Sequence, residues 1–167
     1  MKKIFPLFPI ILALFSFHSC EKEPEKPQPV VMIGADGFSA EVYARHKDEF
    51  PHIKALVESG SSTLELRSVL PSSSAVNWAS MLPGSPPELH GFTLATSKAP
   101  EVAPRILNQY GKYPGIYGIR REQRPEAVSG YFYEWGGMGV LYDKGSETAA
   151  LHGDALKIKE EGIKFIT

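Results

Sequence analysis

Val30-Val31-Met32-Ile33-Gly34-Ala35 carries no polar side chain and is closed by Asp36-Gly37. A run this short, rich in β-branched residues, fits a strand covered on both faces better than it fits a helix. Strands of that kind occur in parallel sheets flanked by helices, and the rest of the chain keeps the required alternation. Ser39 is placed to cap a helix reaching Lys47. Pro51 opens another through Ser59, stopped by Gly60, with Ile53, Leu56 and Val57 as its expected buried stripe. Ser62 to Leu70 alternates at its start and predicts a second strand. Ser74 to Leu82 predicts a helix ended by Pro83-Gly84, and Arg105 to Tyr110 another ended by Gly111. Pro114 to Ile119 and Val128 to Trp135 read as strands joined by the polar turn Arg120 to Pro125. A last helix, capped by Asp154, carries Leu156, Ile158, Ile163 and Ile166 at helical spacings and is still running at Thr167. The expected fold class is therefore α/β, a parallel sheet with helices on both faces. A βα pattern that closes on a helix leaves a further strand expected, so the domain reads as cut short on its C-terminal side.

The segment before this domain has a different character. Lys2 and Lys3 precede the apolar run Ile4–Phe17, which is interrupted by Pro6 and Pro9. The run falls short of the ~20 residues that span a bilayer and has the layout of an export signal. It ends at Ser19-Cys20, and Cys20 is the single cysteine of the chain. Residues 1–20 resemble a bacterial lipoprotein signal with Cys20 as the lipidated residue, which implies an exported protein of a Gram-negative-type cell envelope, membrane-anchored through that lipid. An ordinary secretory signal with a chance cysteine is the alternative. Residues 21–29, Glu-Lys-Glu-Pro-Glu-Lys-Pro-Gln-Pro, read as an extended tether. One cysteine excludes an internal disulfide, so the domain over 30–167 must be held by its core.

Charge excludes one class of partner. Eighteen basic residues face 19 acidic ones, a formal net charge of −1, with no basic patch interleaved with aromatics. A nucleic-acid polymer is not the expected partner.

Two places carry chemistry. Asp36 stands at the end of the first expected strand, where reactive groups gather in open α/β sheets. Its carboxylate suits a hard divalent metal, although Asp-Gly alone is equally a common turn pair. Ser72, Ser73 and Ser74 stand at the start of a helix. A hydroxyl there feels the positive end of the helix dipole, and metal coordination would activate it further; helix capping is the simpler alternative.

The ordered pattern adds a resemblance. Ala35-Asp36-Gly37 ends an apolar strand, and Pro51-His52-Ile53 begins a helix closed by Gly60. Pro71-Ser72-Ser73-Ser74-Ala75-Val76-Asn77 and Gly84-Ser85-Pro86-Pro87-Glu88-Leu89-His90-Gly91 follow. In that order these segments resemble the alkaline phosphatase superfamily, in its type I phosphodiesterase/nucleotide pyrophosphatase branch. The resemblance implies a phosphoric ester hydrolase acting on a small phosphate ester or nucleotide-like substrate. It makes Ser74 the nucleophile and a metal contact, Asp36 a ligand of one of two zinc ions, and Asn77 a weaker candidate for substrate binding. It also implies a phospho-enzyme intermediate on Ser74, and gives His90 a structural place near a turn. Ala95 stands where many members carry a phosphate-binding asparagine. The family's remaining aspartate and histidine ligands are expected beyond Thr167, so the chain as given is expected to be inactive. His152 and Asp154 suit a helix start better than a substitute metal site. A sulfatase is disfavoured because the serine cluster lacks the proline and arginine of that motif. The alternative function is a non-catalytic envelope lipoprotein that keeps the fold for binding, with Tyr131-Phe132-Tyr133-Glu134-Trp135 as either core or ligand-facing surface.

Overall fold

The computed structural model describes residues 28–95 and 98–167. The chain divides into two units, residues 1–35 and 36–167. Cys20 and most of the expected tether lie outside the described residues. In the first unit, residues 28–35 form no regular element, so the strand expected over Val30–Ala35 is not formed among the described residues.

The second unit is α/β. Helix α1 (Ala40–His46) is capped by Ser39, whose hydroxyl accepts from the Val42 amide at 3.4 Å. A 3-10 turn over Lys47–Glu49 leads to α2 (Pro51–Ser59), which begins at proline as expected. The stripe expected on α2 is not buried: Ile53 and Leu56 are both exposed. Residues 62–70 form no strand, and Leu66 is 88% exposed. An extended segment becomes a strand only when a neighbour shares its backbone bonds, and none does among the described residues. Next come α3 (Ser74–Met81) and the single turn α4 (Pro87–His90).

Arg105 to Tyr110 is a turn rather than a helix. Six residues scarcely nucleate one, and the Asn108 side chain takes the Tyr110 and Lys112 amides at 3.0 and 3.1 Å, closing a local turn instead. Pro114 to Ile119 is not a strand either. Its residues enter helix α5 (Ile116–Gln123). The buried Asp143 carboxylate accepts from the Gly115 and Gly118 amides at 3.0 and 3.2 Å and places negative charge at the start of α5.

Strand β1 (Gly130–Tyr133) lies inside the expected Val128–Trp135 run. It pairs in parallel with β2 (Ala149–His152), which the sequence reading did not anticipate; α6 (Met138–Leu141) sits in the crossover. The architecture is thus α/β with a two-stranded parallel sheet among the described residues. Helix α7 (Ala155–Ile166) starts at Asp154, which accepts from the Lys157 amide at 2.9 Å, and rests on β1 through Phe165 against Phe132. Leu156, Ile163 and Ile166 of α7 are exposed.

The core joins Ala79 and Leu82 of α3 to Phe92, Tyr131, Leu141 and Tyr142, with Trp78, Tyr117 and Tyr133 against it. The rings of Tyr131 and Tyr142 are 4.1 Å apart. Tyr131 is therefore part of the core and Tyr133 is partly buried against it. Burial pushes the Tyr131 and Tyr142 phenols far above their usual range and keeps them neutral.

Candidate functional site

Helix α3 builds the site by dividing its residues between two faces. Ala75, Val76 and Ala79 are buried and fix the helix to the core. Ser74, Asn77, Trp78 and Met81 recur at the complementary helical spacing and line an open cleft of about 300 Å³. Asp36, Ser72 and Ser73 line the same cleft. The structure thus brings together Asp36, Ser74 and Asn77, three residues singled out from the sequence.

Ser74 is the first residue of α3 and is exposed; Ser73, not Ser74, holds the N-cap position. Ser73 adopts the extended backbone of a cap, yet its side chain makes no capping bond. Its hydroxyl is buried without a partner among the described residues. The Ser73 side chain therefore does not cap the first turn of α3, whose first residue, Ser74, lines the cleft.

Asp36 lies in the turn with Gly37, which has a φ of +69°. Trp78 donates its indole N–H to Asp36 Oδ2 at 3.3 Å. Asp36 thus lies in an Asp-Gly turn and also lines the cleft. Asn77 makes two side-chain bonds to the serine turn. Its Oδ1 accepts from the Val69 amide at 3.0 Å and its Nδ2 donates to the Ser73 carbonyl at 2.9 Å. Both ends of the amide thus bond the serine turn, while Asn77 also lines the cleft. Trp78 was not anticipated as part of the site; its spacing of four from Ser74 was the available signal.

His90 stands behind α3, inside the protein. The Phe92 amide donates to its Nδ1 at 3.1 Å, which puts the proton of the neutral ring on Nε2, 2.8 Å from Ser80 Oγ. Ser80 in turn donates to the Val76 carbonyl at 2.8 Å. Burial lowers the pKa of His90, and Glu88 opposes that shift. The ring is a brace for α3 and not a ligand. Gly91 follows in the left-handed region at φ +81°, where a Cβ would stand 2.0 Å from the Val102 carbonyl oxygen. Only glycine fits there.

His152 and Asp154 do not join the cleft lining. His152 stacks on Tyr133 and bonds the Glu134 carbonyl at 2.8 Å, while Asp154 caps α7. Among the described residues no three His, Cys, Asp or Glu side chains gather to hold a metal ion. Zinc takes three or four protein ligands. Asp36 and Ser74 do not by themselves build the zinc pair that the resemblance implies.

The family model for type I phosphodiesterase / nucleotide pyrophosphatase matches residues 30–103, a span that contains Asp36, Ser74 and the His90-Gly91 turn. No curated protein and no solved structure matches the chain.

Proposed function

We propose that the segment matching the phosphodiesterase family carries the nucleophile side of a phosphoric ester hydrolase, with Ser74 as the attacking residue. The family match supports phosphoric ester hydrolysis at family level. The observation that supports the residue assignment is the shared cleft: Ser74 stands exposed at the start of α3 and lines the same cleft as Asp36. In this reading Ser74 Oγ attacks phosphorus, the alcohol or nucleotide leaving group departs with the electron pair of its P–O bond, and the phosphoserine is then hydrolysed. The open amides of the first turn stabilise charge on the phosphoryl oxygens. Asp36 is a metal ligand in the same proposal, with Trp78 orienting its carboxylate as outer partners of metal ligands do. The zinc pair, the complete alkaline-phosphatase-like sheet and a small phosphate ester substrate belong to it too.

Because the described residues gather no metal cluster, the 167-residue chain alone is expected to be inactive. The same observation favours a second reading, an envelope protein that keeps the fold for binding. Two measurements separate these. Zinc and a chromogenic phosphodiester added to the purified chain should give no turnover; turnover abolished by Ser74→Ala would overturn the inactivity. Inorganic phosphate titrated into the ¹⁵N-labelled chain should shift the amides of Ser74, Ala75 and Val76 above all others. Shifts elsewhere, or none, would sink the assignment of this cleft to phosphate chemistry.

A further inference from the structure

We infer that Asn77 is a positioning residue that fixes the serine turn from inside, rather than a group that contacts substrate. The turn from Val69 to Ser73 lies between a segment with no strand partner and the first residue of α3. Few backbone bonds hold it: the Ser73 amide donates to the Pro71 carbonyl at 2.8 Å, and the Asn77 amide to the Ser73 carbonyl at 3.0 Å. The Asn77 side chain adds the two bonds that span the turn. Its Oδ1 takes the Val69 amide at one end, and its Nδ2 joins its own backbone amide on the Ser73 carbonyl at the other. Ser73 directly precedes Ser74, so this clamp sets where α3 begins and where the Ser74 hydroxyl stands relative to Asp36. Only a side-chain amide presents one acceptor and one donor in this geometry. Aspartate keeps the acceptor and loses the donor; alanine loses both.

The role at Ser74 rests on the phosphoryl-transfer reading, whereas the clamp is read independently of it. Amide hydrogen exchange of the full chain should show Val69 protected in the wild type, at least tenfold faster in Asn77→Ala, and still protected in Asn77→Asp. In the same samples the phosphate-induced shift of the Ser74 amide should weaken several-fold in Asn77→Ala, with exchange in β1 and β2 unchanged. Unaltered Val69 exchange in Asn77→Ala would overturn the clamp. Faster Val69 exchange with an unaltered phosphate response would reduce Asn77 to a loop staple and overturn its positioning role. If phosphate leaves wild-type Ser74 unmoved, the phosphoryl-transfer reading fails and the positioning role falls with it, while Val69 exchange still decides the clamp. If Asn77→Ala does not fold, Asn77→Asp carries the test. Retained Val69 protection with a weakened Ser74 response supports the positioning role, and lost protection overturns it.

Discussion

His90 shows how one buried side chain can secure a reactive one it does not touch. Its ring bonds Ser80, and Ser80 bonds the Val76 carbonyl within the first turn and a half of α3. Protonating the ring would put a charge in a site without a carboxylate partner, and that is why burial lowers its pKa. The sign follows directly. A His whose folded pKa lies below the usual value of about 6.5 contributes stability in full above that value. The contribution is lost as pH falls from there through the folded pKa. Urea unfolding across pH 5–8 should therefore show a contribution to stability that rises with pH up to about 6.5 and is level above it, with a smaller slope below about 6.5 in His90→Gln. Equal slopes in the two proteins would remove His90 as the source. Ser80→Ala, which leaves Nε2–H without its acceptor, should cost about 1–3 kcal/mol at pH 7. The structural place of this histidine was implied by the family resemblance of the segment from Gly84 to Gly91, not by the residues alone. Its partner was not legible, since Ser80 meets it only once α3 and α4 are packed.

At the scale of elements, α5 separates what local sequence conveys from what the fold adds. Gly115-Ile-Tyr-Gly118-Ile offers a strand-like mix of β-branched, aromatic and glycine residues. The helix forms because Asp143, distant in sequence, lays its carboxylate on the two glycine amides. Asn108 Nδ2 donates to the same carboxylate. A Cβ at Gly115 would stand 2.5 Å from Asp143 Oδ2, so the glycines make room for the acid rather than mark a turn. Such remote capping leaves no trace in a local pattern. The caps that are local, Ser39 on α1 and Asp154 on α7, were readable. Asp36 and Ser74, which line one cleft, sit in short ordered motifs, whereas Trp78 bonds Asp36 from 42 residues away. Asp143→Ala should expose the N-terminal amides of α5, destabilise the protein by about 3 kcal/mol and speed hydrogen exchange in residues 119–123 ahead of β1. Unchanged exchange in α5 would show that the helix stands without its acid.

At the scale of the whole chain, no helix among the described residues is long and apolar enough to cross a membrane, and the sequence before them carries a separate expectation of attachment. Lys2, Lys3, the apolar run and Cys20 carry that expectation, and Glu21 to Pro29 supplies a charged, proline-rich spacer behind it. We propose that the protein is exported and anchored through lipid on Cys20. In this proposal the anchor and the cleft have separate tasks. Stable attachment takes more than one acyl chain, as a lipoprotein cysteine supplies. Expressed in a Gram-negative host with radiolabelled palmitate, the wild-type chain should be labelled and sediment with membranes. Cys20→Ser should lose the label and leave the membrane fraction, while hydrogen exchange in α3 and the phosphate response of Ser74 stay as in the wild type. Wild-type protein that is exported unlabelled and soluble would identify the leader as an ordinary secretory signal and the cysteine as incidental.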